Sequence, residues 1–296
     1  MTNEALVRIQ VVAGETGVPE PTLRAWERRY GIPTPERTTA GYRLYGRREI
    51  EQVHQMRALC DSGVAPAEAA RRVQKLKKKR ATTDFAAAAR QGLLDAVAAF
   101  DIDALESRIR QTFFLGNPLA IVEGIIEPTL RDIGTRWQRG EITIAQEHFA
   151  SQRLGLLLQD LLRLMTIEPT AKRVLLASFA DDDHELGLYS LAIRLAHWQW
   201  KPIVLGARTP ADSLSAAVKS TNASAVALSS TIEPTRARAI DLVATYRDAC
   251  ADTPWVVGGS GVASMEKMIR AAGGIVAPPD GVRLRALFDD LRRNAR

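Results

Sequence analysis

The 296-residue sequence predicts a multidomain protein, α-helical in its first half and α/β in its second. Three observations predict this. Residues 1–80 hold two short helical patterns split by a Gly/Pro turn, and they carry 16 Lys and Arg against 9 Asp and Glu, a formal +7, while the other 216 residues carry −1. Residues 85–166 set apolar side chains at steps of three and four with no strand-like alternation. From Arg173 onward, short apolar runs alternate with helical stretches. The expected domains are 1–80, 81–167 and 168–296.

Apolar residues at 46% and charged residues at 25% exclude a disordered chain. No apolar run approaches the roughly 20 residues that a membrane span needs. The start "MTNEALVRIQ" lacks a basic-then-apolar signal pattern, so a cytoplasmic protein without membrane contact is expected. Cys60 and Cys250 lie too far apart for metal-type spacing and read as reduced thiols.

In "IQVVAGETGVPEPTLRAWERRYG", Ile9, Val12 and Ala13 form one apolar face, and Leu23, Trp26 and Tyr30 form another at helical spacing. Gly17 suits the turn between them, and Pro21 suits the first turn of the second helix. This is helix-turn-helix patterning, with the second helix as major-groove reader. Thr22, Arg24 and Arg28 would project from it toward base edges or phosphates. Gly41 then marks a turn between two short extended segments, a wing from which Tyr42, Arg43, Tyr45 and Arg47 are expected to reach phosphates or a minor groove. Trp26 and Tyr30 read as core. The concentrated positive charge is the footprint of a polyanion partner, here a double-stranded DNA operator. The run "KLKKKR" (75–80) reads as the end of this unit, adding non-specific phosphate attraction. The longer run "TLRAWERRYGIPTPERTTAGYRLYGRREI" resembles the recognition helix and wing of the MerR family, and the resemblance extends over residues 7–72.

The middle segment predicts helices at 85–100, 102–115, 119–138 and 144–165, with Asp101 and Asp103 as caps near the second. Four helices with short connections make a bundle. Within "RWQRGEITIAQEHFASQRL", Trp137 lies near a helix end, Gly140 breaks the helix, and Glu147 and His148 open the next. Taken alone, this segment reads as a core tryptophan and a surface pair.

The last segment predicts strands at 173–179, 202–205, 225–229, 255–258 and 274–277, with helices at 184–199, 212–220 and 236–249 between them. That alternation implies a parallel, doubly wound sheet of flavodoxin-like (Rossmann-type) order, with its ligand cleft over the strand carboxyl ends. Three features fall there: Asp182, His184 and Gly187 in "SFADDDHELG", then Ser229-Ser230-Thr231, then Gly258-Gly259. A receiver domain would need an acidic phosphoacceptor where Ser229 stands, and a lysine that "VAPPDG" does not offer. No G-x-G-x-x-G follows the first strand, and no nucleophile elbow is present. Metal ligation fits better. One imidazole nitrogen of His184 would bind the metal, while Asp182 accepts a hydrogen bond from the other and fixes the tautomer. A single protein ligand hardly holds a bare ion, so the metal must arrive inside a macrocycle, and Gly187 leaves room for something bulky beside the helix.

The stretch "DDHELG" resembles the D/E-x-H-x-x-G signature of cobalamin-binding domains. That resemblance implies His184 as the lower cobalt ligand, with the displaced dimethylbenzimidazole tail near Ser229 or Ser230 and near Gly258 and Gly259. Trp137, Glu147 and His148 resemble the W-x₉-E-H motif in the helical cap of the CarA/CarH/LitR family, whose domain order the whole chain follows. The family likeness implies Trp137 over the upper cobalt face, and Glu147 and His148 shaping a pocket for a 5′-deoxyadenosyl group. It further implies a non-enzymatic repressor that takes adenosylcobalamin, or else methylcobalamin, and self-associates as a dimer or tetramer on DNA in the dark until light breaks the Co–C bond. Photosensing members often carry a histidine beside the tryptophan that takes the vacated cobalt position; Gln138 stands there instead. A light-independent cobalamin sensor is therefore the alternative reading. A corrinoid methyl-carrier protein ranks below both, because the basic amino-terminal reader would have no role in it.

Overall fold

In a computed structural model the chain divides into two compact units, Met1–Phe85 and Ala86–Arg296. Residues 6–114 and 116–294 are described, with the backbone alone at 79–82. In the first unit, α1 (Ile9–Thr16) ends at Gly17, whose left-handed φ of 64° closes the turn before α2 (Glu20–Tyr30). Pro21 sits in the first turn of α2, where its missing N–H costs nothing. Strands β1 (Glu36–Arg37) and β2 (Arg43–Leu44) pair antiparallel as the wing, and α3 (Arg47–Asp61) follows. Val7 and Tyr45 exchange two backbone hydrogen bonds of 2.9 Å at the wing's base. Ile9, Val12, Leu23, Tyr45 and Val53 form the buried core, and Trp26 packs both on it and on a second cluster around Ile32 and Met56.

Helix α4 (Pro66–Ala98) runs from the first unit into the second without a break. The expected helix at 85–100 is therefore the end of a longer one, and "KLKKKR" (75–80) lies inside it, shortly before the first unit ends at Phe85. The reason is compositional. After Pro66 the stretch has no proline and one glycine, Gly92, among strong helix formers, so nothing stops propagation.

The second unit continues with α5 (Ile102–Thr112), whose N-cap Asp101 accepts from the Ala104 N–H at 2.9 Å. The expected end of this helix at Leu115 lies outside the described residues. Next come α6 (Pro118–Ile121), a π-turn at Val122–Ile126, α7 (Glu127–Gln138) and α8 (Ile144–Arg163). Then β3 (Arg173–Ser178), α9 (Leu186–His197), β4 (Lys201–Gly206), α10 (Ala211–Thr221), β5 (Ala225–Ser229), α11 (Arg236–Cys250) and β6 (Trp255–Gly258) alternate. The fold closes with α12 (Glu266–Ala271), β7 (Ile275–Val276) and α13 (Gly281–Asn294). The five strands are parallel in the order β4-β3-β5-β6-β7, the flavodoxin-like order. Register sets Ser178, Ser229 and Gly258 side by side at the carboxyl edge. Helix α13, not anticipated, packs Phe288 against Trp198 and Trp200 at ring-centroid distances of 6.3 and 6.0 Å.

The bundle shares its core with the sheet layer. Ile193 of α9 is buried among Leu154, Leu158 and Leu161 of α8. Beside it the half-buried Arg194 donates to both Glu127 oxygens, one at 2.8 Å, and its Nε lies 3.3 Å from Glu123. The Glu127 hydrogen bonds push the Arg194 pKa further up and keep it charged. Removing one partner strands the others' charges in a partly desolvated place. Arg194→Ala is expected to lower the unfolding free energy by about 1–3 kcal/mol, read from urea denaturation of the apoprotein.

Candidate functional site

The carboxyl edge of the sheet assembles around one loop. Between β3 and α9 the chain places Asp182 with its side chain 3% exposed and His184 with its side chain 59% exposed. Asp182 Oδ1 accepts from the His184 backbone N–H at 3.0 Å and faces His184 Nδ1 at 2.8 Å, and Oδ2 accepts from the Thr231 N–H. An ionised carboxylate only accepts, so Nδ1 is the donor of this pair, and in the neutral ring the lone pair falls to Nε2. Ser178 Oγ donates to the His184 carbonyl at 2.7 Å, fixing the backbone as well. A Cβ placed on Gly187 would meet nothing within 4 Å, so the space beside the start of α9 is open.

Two further strands complete the edge. The Ser230 N–H donates to the Gly258 carbonyl at 2.8 Å, and the Gly261 N–H donates to the Ser230 carbonyl at 2.9 Å. Gly259 has φ 114°, and a Cβ there would fall 2.2 Å from the Ser230 carbonyl oxygen, so the two loops approach as closely as they do because position 259 has no side chain. Thus Asp182, His184, Ser229, Ser230, Gly258 and Gly259 are brought together as expected from the sequence. A cavity of about 230 Å³ opens beside Asp182, with Phe179, Ile232 and Leu242 on its walls. Among the described residues no group of three or more His, Cys, Asp or Glu is placed to hold a metal ion. A metal with one protein ligand, carried in a macrocycle, fits these residues: an oriented, open imidazole, an unobstructed Gly187 and an apolar recess alongside.

Sequence reasoning missed the two arginines that flank this loop. Arg208 pairs with Asp183, and Arg238 pairs with both oxygens of Asp181 at 2.5 and 2.7 Å. The guanidiniums hold the Asp181 and Asp183 carboxyls below the usual range. Three consecutive aspartates signal a need for cations, but Arg238 stands 57 residues further along the chain, and no spacing rule reaches it.

On the bundle, Trp137 ends α7 and is 44% exposed, so the core-tryptophan reading of this segment is overturned. Thr143 caps α8 through a capping box with Gln146. In the first turn of α8, Glu147 Oε2 lies 2.6 Å from His148 Nδ1, and Ser151 Oγ donates to Glu147 Oε1 at 2.6 Å. Ser151 and Gly155 follow Glu147 at steps of four, on one helix face. Gly155 lies against Leu186, two residues past His184. At 1.5 Å per residue, Glu147 stands about 12 Å along α8 from that contact, on the face that meets the histidine loop.

In the first unit, α2 leaves Arg24 and Arg28 exposed and Thr22 half-buried, and the wing tip leaves Tyr42 exposed under the Arg8 guanidinium at 5.4 Å. Arg24 pairs with Glu20 at 3.0 Å, an exposed contact that yields readily. Arg43 donates to Glu27 at 2.7 Å, and Arg37 reaches the same carboxylate at 3.4 Å, bracing the wing on the helix. Tyr45 does not reach outward. It is 0% exposed in the core, its backbone bridge to Val7 turns the side chain inward, and its hydroxyl has no partner. Period-two alternation in the wing points Tyr45 inward if Leu44 faces out, but two-residue strands are too short for that rule to be read from sequence.

Residues 7–76 match the family described as MerR HTH family regulatory protein, and residues 89–158 and 172–287 each match a family described as B12 binding domain. A DNA-reading amino-terminal unit ahead of bundle and sheet, with a single oriented histidine at the sheet edge, defines a cobalamin-binding MerR-type transcriptional regulator rather than an enzyme. The chain is 33% identical over 273 residues to the HTH-type transcriptional repressor CarH of Myxococcus xanthus, covering 88% of this chain and 91% of that one. It is 34% identical over 269 residues to the repressor CarA of the same organism, covering 90% and 91%. The chain belongs to the CarH/CarA family. In fold it is similar to a monomethylamine corrinoid protein of Methanosarcina barkeri, with TM-score 0.55 and 14% identity over 67% of this chain and 96% of that one. Among the described residues no helix is long and apolar enough to cross a membrane.

Three outcomes follow. Asp182→Asn is expected to weaken cobalamin binding about 10- to 100-fold by absorbance titration, since the carboxylate orients the imidazole. Tyr45→Phe should leave operator affinity unchanged and keep or raise stability, because it removes a buried hydroxyl without a partner, whereas Arg24→Ala should weaken operator binding in a mobility-shift titration.

Proposed function

We propose that this regulator is a light-responsive repressor that holds its operator in the dark as an adenosylcobalamin-bound oligomer, dimer or tetramer, and lets go in the light. The observation that carries this reading is Trp137, a large aromatic face left outside the bundle core at a helix end, with the hydrogen-bonded Glu147, His148 and Ser151 at the start of the next helix. Bound adenosylcobalamin supplies a Co–C bond that light cleaves. In this reading His184 Nε2 would ligate the cobalt, Asp182 would fix its tautomer, and Gly187, Ser229, Ser230, Gly258 and Gly259 would accommodate the tail. Trp137 packs against the upper ligand, while Glu147 and His148 present acceptors and donors to its hydroxyls. Residues 1–80 act as reader, 81–167 as cap and 168–296 as cofactor holder, inside the cell where the operator lies. Thr22, Arg24 and Arg28 of α2, with Tyr42 and Arg43 of the wing, contact the operator.

Oligomerisation strengthens DNA binding by avidity: readers joined in one assembly occupy neighbouring half-sites, and losing the assembly loses the gain. The upper ligand can drive this only by favouring the assembling arrangement of the cap, and Trp137 is the side chain placed to sense it. Gln138 favours a second reading, since an amide cannot take a vacated cobalt position as an imidazole would. In that reading the chain senses cobalamin, methylcobalamin included, without light. Size-exclusion chromatography and operator titration of adenosylcobalamin-loaded protein, dark and illuminated, separate the two. The light-responsive reading expects a larger, tightly binding species in the dark and a smaller, weakly binding one after illumination. Unchanged mass and affinity after full photolysis would leave the light-independent sensor.

A further inference from the structure

We infer that the seam between α3 and α4 of the first unit is a binding site for a small zwitterion with an apolar body, a free apolar α-amino acid. The site lies outside the cofactor edge and does not depend on how that edge is read. A cavity of about 210 Å³ opens along the seam, with Gln52 of α3 and Val73 and Leu76 of α4 on its walls and Arg48 and Asp84 beside them. Gln52 is the residue out of place. It is 8% exposed, and its buried Oε1 has no hydrogen-bond partner. Among the described residues no hydrogen bond engages the carboxamide at either end. Ile50, Val53 and Met56 around it on α3 are buried apolar side chains, so a leucine would suit the seam and leave nothing unpaired. A glutamine there earns its place only with something to bind. Its terminal torsion is soft, so both oxygen and nitrogen can be offered to an occupant.

The walls define the chemistry of that occupant. An acceptor and a donor side by side on one carboxamide match an ammonium and a carboxylate held on one carbon, the head of an α-amino acid. Arg48 and Asp84 are exposed, and among the described residues neither takes part in a hydrogen bond or an ion pair. The cavity's other charges are engaged already. Glu49 accepts from the Gly46 N–H at 3.1 Å, Lys77 donates to Thr34 Oγ1 at 3.3 Å, and Glu51 has a partner as well. One cation and one anion are thus left over, one for each end of a zwitterion, whereas a phosphate or a polyamine would meet a charge of its own sign. Val73 is 1% exposed and Leu76 is 51% exposed, so an apolar side chain laid over them would cover surface that water now meets. Pockets for larger ligands run to roughly 300–1,000 Å³, and this one is smaller, which suits a single amino acid rather than a nucleotide or a peptide.

Isothermal titration of the full-length apoprotein tests this with L-leucine and with relatives that each lack one feature. 4-Methylpentanoate has no ammonium, 3-methylbutylamine has no carboxylate, and glycine has no apolar side chain. L-leucine is expected to bind in the millimolar range or tighter, and each relative about 10-fold more weakly, the loss of one contact. Gln52→Leu should fold, because it completes an apolar seam, and should lose leucine binding while its melting temperature stays at or above that of wild type. On the exposed rim neither change threatens folding. Asp84→Asn should weaken leucine about 10-fold and leave 4-methylpentanoate, which has no ammonium to lose, at its wild-type affinity. Arg48→Gln should weaken leucine in the same way and spare 3-methylbutylamine. If both single-charge relatives bind as leucine does, the seam is an apolar recess only. If water alone satisfies the carboxamide, leucine at about 50 mM gives no heat. Either result, or full leucine binding by Gln52→Leu, overturns the inference.

Discussion

Asp182 is a carboxylate taken almost wholly out of water, and it persists there because three donors meet it: the His184 backbone, the His184 ring and the Thr231 N–H. A buried charge with fewer partners would be costly enough to unfold or reorganise the loop. The same three bonds fix the histidine loop. They join the ends of β3 and β5, they set which imidazole nitrogen carries the proton, and they aim the other at open space. Structural and chemical demands are thus met by one group, which leaves little freedom to alter either alone. Gly259 serves the same junction from the other side, since only a residue without a side chain lets its loop lie against Ser230.

The bundle depends on that edge in turn. Its α8 descends onto the start of α9, and Arg194 ties the two layers with Glu123 and Glu127. Apolar burial of Ile193 among the α8 leucines supplies affinity between the layers, and the ion pair supplies registry. Trp137, Glu147 and His148 are thereby carried on a scaffold already seated on the histidine loop, so a ligand enters a frame rather than having to build one.

Much of this was legible in the sequence, for identifiable reasons. The strands of the sheet are continuous apolar runs bounded by turn residues, and burial on both faces leaves that mark. Asp182, His184 and Gly187 are close in sequence, so their spacing survives folding unchanged. Features that needed distant partners were not legible: Arg238 on Asp181, Arg208 on Asp183 and Arg194 on Glu127 all join different elements. The continuity of α4 was missed because a run of lysines looks like a helix end, although nothing in it breaks a helix. Tyr45 was misplaced because alternation cannot be counted over a strand of two residues. The proposed light response, unlike the cofactor class, is not written in any spacing.

The arginines bracing the wing have a consequence for how the reader competes with salt. Arg43 and Arg37 share the single charge of Glu27, so the 16 Lys and Arg of residues 1–80 overstate the cations free to meet an operator. An arginine that keeps its carboxylate beside it brings less net charge to a phosphate and displaces fewer of the cations condensed on the duplex. Affinity gained in that way depends less on ionic strength than a count of basic residues implies. Glu27 thereby tilts the reader away from indiscriminate attraction to any polyanion and toward duplexes whose groove geometry offers the wing and helix something more than charge.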